Sequence, residues 1–63
     1  MHAETLTVGI ADLIMVIKAI RERITVNLRH VSKESYPYLV MFRDFLTLML
    51  AYLTDLLERE LKE

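Results

Sequence analysis

Eight apolar residues in the first half of the chain follow one another at intervals of three and four: Leu6, Ile10, Leu13, Ile17, Ile20, Ile24, Leu28 and Val31. At about 100° per residue they fall within a sector of roughly 80° on one helix. The spacing predicts a helix from about Thr5 to His30, with Thr5 as its N-cap. Gly9, the only glycine, weakens the start of that helix by about 1 kcal/mol relative to alanine. The competing reading is a strand, because residues 23–29 (Arg-Ile-Thr-Val-Asn-Leu-Arg) alternate apolar and polar. Only the helical period persists over the whole stretch, so helix is expected.

The pattern breaks at Val31-Ser32-Lys33-Glu34-Ser35-Tyr36-Pro37. Ser35 reads as an N-cap, with Pro37 in the first turn, where its missing N–H costs little. Arg29, His30 and Lys33 lie near the end of the first helix and Glu34 at the start of the second, each sign matched to the local end of the helix dipole. A turn is therefore expected at about 31–35 and a second helix at about 36–61. On that second helix Arg43, Asp44, Thr47, Thr54, Asp55, Glu58 and Lys62 share one polar wedge, leaving an apolar arc of roughly 240°. An ordinary surface helix needs little more than 100°. Asp55–Arg59 and Glu58–Lys62 have the i,i+4 order that favours ion pairs.

Two helices of similar length joined by a short turn make an antiparallel hairpin. One stripe on the first helix cannot cover the wide face of the second, and large exposed apolar patches mark interfaces. The expected fold is all-α: residues 1–63 form one helical-hairpin domain that dimerises into a four-helix bundle. Ile10, Ile17, Ile24 and Val31 take a-like coiled-coil positions, and Leu6, Leu13 and Ile20 take d-like ones. Asn27 takes the next d position, either as a register-setting polar residue on the seam or at its solvent edge. The interface candidates are Ile17, Ile24, Tyr38, Phe42, Phe45, Met49, Tyr52 and Leu56.

Composition points the same way. A 63-residue chain folding alone buries only about 60% of its unfolded surface, which leaves it marginal. It has no cysteine and only two histidines, His2 and His30, so disulfides and an ordinary structural metal site are not expected. A partner chain is the remaining support. The hydrophobic fraction of 54% with 27% charged residues argues against disorder. The start, Met1-His2-Ala3-Glu4, lacks the basic and apolar blocks of a secretory signal. The most apolar stretch, 45–57, is too short and polar to span a bilayer. A cytoplasmic protein is the expectation, and a membrane partner is not.

Net charge is only −1, but it is unevenly laid out. Residues 1–17 carry −2, residues 18–43 carry six basic against two acidic side chains, and residues 44–63 carry five acidic against two basic. The turn end of the hairpin is thus basic and the open end acidic. Two hairpins side by side and antiparallel would set opposite charges together.

No catalytic constellation is evident, and neither an enzyme nor a cofactor is expected. Ser32 and Ser35 are accounted for by the turn, a single glycine cannot build a phosphate loop, and a Glu-x-x-His di-metal motif is absent. Arg21, Arg23, Arg29, Lys33 and Arg43 form the one candidate nucleic-acid surface, through phosphate contacts. If residues 23–29 were a strand, they would resemble the ribbon of ribbon-helix-helix repressors, with Arg23, Thr25, Asn27 and Arg29 facing bases. The unbroken helical pattern that follows departs from that family's two-helix arrangement. The function expected is a non-enzymatic homo-oligomeric interaction module, with the chain itself as first partner and another protein as second. A small nucleic-acid-binding regulator is the alternative.

Overall fold

The computed structural model describes residues 2–62, with side chains from Thr5 onward. Met1, Glu63 and the side chains of His2, Ala3 and Glu4, which entered the readings of the chain start and the charge layout, lie outside the described residues. Two helices, α1 (His2–Asn27) and α2 (Tyr36–Lys62), fold back on each other as a hairpin. No strand occurs among the described residues. Residues 23–27 are helical, so the ribbon reading of this segment is overturned. Packing along α2 outweighs the β-leaning composition, as tertiary context generally does.

Both ends of α1 differ from the sequence expectation. It begins at His2, which places Thr5 inside the helix rather than at its cap. Alanine and glutamate, the residue types at positions 3 and 4, are strong helix formers. At the other end regular helix stops at Asn27 instead of His30. Leu28 N–H still reaches the Ile24 carbonyl at 2.9 Å, but Arg29 and His30 bond three residues back, to Val26 at 3.4 Å and Asn27 at 2.9 Å. The last turn tightens in this way, which satisfies carbonyls that would otherwise be orphaned. No described residue adopts a positive φ, so no left-handed cap is involved.

Ser35 holds the position just before α2, as expected, and its carbonyl accepts the Leu39 N–H at 3.1 Å, but the side-chain cap comes from Ser32. Ser32 Oγ accepts the Ser35 N–H at 3.2 Å and donates to Ser35 Oγ at 3.1 Å, while the Tyr36 N–H reaches the Ser32 carbonyl at 3.0 Å. A side-chain oxygen bonded to the N–H three residues ahead is N-cap geometry, and Ser35 occupies the third position of the turn it opens. Ser32→Ala is expected to lower stability by about 1 kcal/mol. Thermal circular dichroism should show a melting point about 4–8 °C lower, as expected for a domain of this size. A melting point unchanged by Ser32→Ala would refute this capping role.

The core is small. Ile10 and Ile17 of α1 interleave with Leu46, Leu50 and Leu53 of α2, and Ile14, Ile24, Met49, Leu56 and Leu57 pack around them half-buried. No described side chain is completely enclosed. The molecule measures 48 × 14 × 12 Å, with a radius of gyration of 14.6 Å. A compact domain of this length has about 10.6 Å. Two helices wide and one helix thick, the hairpin has little interior. No helix is long and apolar enough to cross a membrane.

Candidate interaction face

The faces of the hairpin follow from helical rotation and one contact. On α1, taking Ile10 as zero, Thr25, Lys18 and Glu22 lie at about +60° to +120°, and Leu13, Ile20 and Val16 at about −60° to −120°. On α2, taking Leu46 as zero, Arg43, Thr54, Thr47 and Glu58 lie at about +60° to +120°. On its other side Phe42, Met49, Tyr38, Leu56, Phe45 and Tyr52 lie at about −40° to −120°. In an antiparallel pair, sides of equal sign fall on the same face. Arg21 Nη1 donates to Thr47 Oγ1 across the helices at 3.5 Å, which sets the positive sides together and fixes the axial register.

The polar face holds two shallow grooves. One, of about 400 Å³, has Lys18 and Arg21 on one wall and Thr54, Asp55 and Glu58 on the other, over Ile14 and Leu50. The second, of about 480 Å³, lies toward the turn between Thr25 and the Arg43–Thr47 edge. Opposite charges face each other across the first groove, so it presents no single-sign field. Among the described residues no group of His, Asp or Glu could hold a metal ion.

The opposite face is apolar on both helices. Leu6, Leu13, Val16 and Ile20 of α1 are exposed beside exposed Tyr38, Phe42, Phe45 and Tyr52 of α2. The stripe on α1 therefore splits. Ile17 is 7% exposed, but Leu13 and Ile20 on either side of it are 45% and 41% exposed. The a-like positions turn toward α2, and the d-like positions open onto the free face. The centre of the stripe is rotated by roughly 40° from the line that meets α2.

The interface candidates divide along this boundary. Ile17 is buried between the helices; Ile24, Met49 and Leu56 are half-buried against the core. Tyr38, Phe42, Phe45 and Tyr52 stand on the open face, Phe45 at 55% exposure. Leu6, Leu13, Val16 and Ile20 belong with them and were not among the candidates. Asn27, the last residue of α1, is exposed at the turn end.

The basic candidates do not converge. Arg21 and Arg43 share the polar face, where Arg43 also pairs with Asp44 at 3.4 Å. Arg23 lies at about −140° on α1, toward the other side. Arg29 and Lys33 are in the turn. Of the two expected helix-surface pairs, Asp55–Arg59 forms at 3.2 Å, whereas Glu58–Lys62 is not among the ion pairs of the described residues.

No family model, characterised protein or solved structure matches this chain.

Proposed function

We propose that this chain is a non-enzymatic interaction module that works by self-association, two hairpins closing their apolar faces on each other as a four-helix bundle. The reading rests on one observation: eight exposed apolar side chains, four from each helix, share one face, and the side that carries Lys18, Arg21, Thr54 and Glu58 lies opposite.

Surface area supports a second copy as the occupant. The hairpin exposes 5280 Å². A compact monomer of 7.4 kDa exposes about 4,200 Å² by the size scaling of folded proteins. The excess is about 1,100 Å² per chain. Two copies burying that much each would hide about 2,200 Å², within the range of obligate homodimers. An isologous dimer also needs only one self-complementary patch, which a symmetric contact supplies.

The test is molar mass by light scattering over a concentration series, with circular dichroism on the same samples. A helical species of twice the chain mass is expected. A helical monomer that persists at high micromolar concentration would overturn the proposal.

A further inference from the structure

We infer that the second copy docks antiparallel to the first, its turn beside the first copy's open end, about a two-fold axis near Val16 and Tyr52. This rests on the self-association just proposed and adds its orientation, which the hairpin's own layout specifies.

The Arg21–Thr47 contact gives the level of every residue along the long axis. Levels on α1 and α2 run in opposite directions from that pair, so Tyr38, Phe42 and Phe45 lie toward the turn and Leu56 toward the open end, with Leu6 and Leu13 of α1. The apolar face is therefore graded: its turn half is aromatic and its open half aliphatic. In a parallel dimer the aromatic halves would stack on each other and the aliphatic halves would face a gap. With the axis at Val16 and Tyr52, the antiparallel dimer sets Phe42 level with Leu6 of the other copy and Phe45 between Leu6 and Leu13, so that aromatic bulk meets aliphatic side chains in both halves of the face. Interdigitation of large with small is what close packing requires.

Charge selects the same orientation. The turn half has six basic side chains, Arg23 and Arg43 among them, against Glu22, Glu34 and Asp44, while the described open half has Asp12, Asp55, Glu58 and Glu60 against Arg59 and Lys62. Glu60 is half-buried on the same side of α2 as Leu56, at the margin of the apolar face. Antiparallel docking brings it level with Arg23 of the second copy. Parallel docking would place it beside its own counterpart. Like charges set together penalise the wrong arrangement more than opposite charges strengthen the right one.

The chain has no cysteine, so a single spin label can be placed cleanly. Lys33→Cys puts it on an exposed turn residue outside the apolar face. Pulsed electron–electron resonance on the labelled dimer, with molar mass measured on the same sample, separates the outcomes. The antiparallel dimer should give a distance of about 45 Å, close to the 48 Å length of the hairpin. A parallel dimer would give about 20 Å, the width of two packed helices. A dimeric mass with the short distance overturns the orientation and leaves self-association standing. A monomeric mass overturns both.

Discussion

Phe45→Asp should halve the molar mass of the protein at concentrations where the unmodified chain is dimeric. Phe45 is 55% exposed in the hairpin and takes no part in the buried cluster of Ile10, Ile17, Leu46, Leu50 and Leu53. Its substitution therefore removes little from the contact between α1 and α2. In a closed dimer the same side chain would sit between the levels of Leu6 and Leu13 of the other copy, beside the other aromatics, and a carboxylate there would be desolvated. Truncating a central aromatic anchor costs about 2–4 kcal/mol, a 30- to 1,000-fold weakening of association. Light scattering and analytical ultracentrifugation read this directly. Thr25→Asp introduces the same charge on the polar face and should leave the mass unchanged. If Phe45→Asp stays dimeric, the apolar face is not the interface.

Leu50→Ala should be the most damaging single truncation to the fold itself. Leu50 is 8% exposed at the centre of α2, and removing its branch deletes buried methyl groups and leaves a cavity. Such changes cost about 2–5 kcal/mol, a large part of what so small a domain can have. Melting followed by circular dichroism should move down by at least about 10 °C at fixed protein concentration. Concentration must be fixed because association stabilises by mass action. Leu48, two residues away, is 70% exposed and lies on neither interhelical surface. Leu48→Ala should change stability by no more than about 0.5 kcal/mol. Equal losses from the two substitutions would mean that the helices are packed in a different rotation.

Much of this architecture was legible in the chain. The periods of Leu6 to Val31 and of the polar wedge on α2 are properties of single helices, and both helices form over most of those stretches, although α1 stops before Leu28 and Val31. The turn was legible because Ser35 and Pro37 favour starting a helix and the signs of Arg29, His30, Lys33 and Glu34 match the ends of two helices. The choice between Ser32 and Ser35 as the cap was not, since both residue types suit the role and only the path of the backbone decides. The C-terminal end of α1 was misplaced for a related reason: tightened terminal bonds leave no sequence mark. The largest gap concerned the candidate site. Helical period ranks positions around an axis but does not say which of them meets the neighbouring helix. That rotation is set by how the ridges of α1 and α2 fit together. Ile17 and Ile20 thus looked equivalent, and only packing turned one inward and left the other on the open face.

The buried residues nearest the turn are Ile17 and Leu46, and everything between them is half-buried or exposed. The covalent link and the packing that holds the helices together thus occupy different parts of the rod. Doubling the length of a flexible connection costs only about 0.6 kcal/mol. The turn is therefore the part of the chain most open to insertion and exchange of residues: Arg29, His30, Lys33 and Glu34 are all exposed, and new sequence there can alter what this end of the rod presents while the interleaved isoleucines and leucines stay as they are.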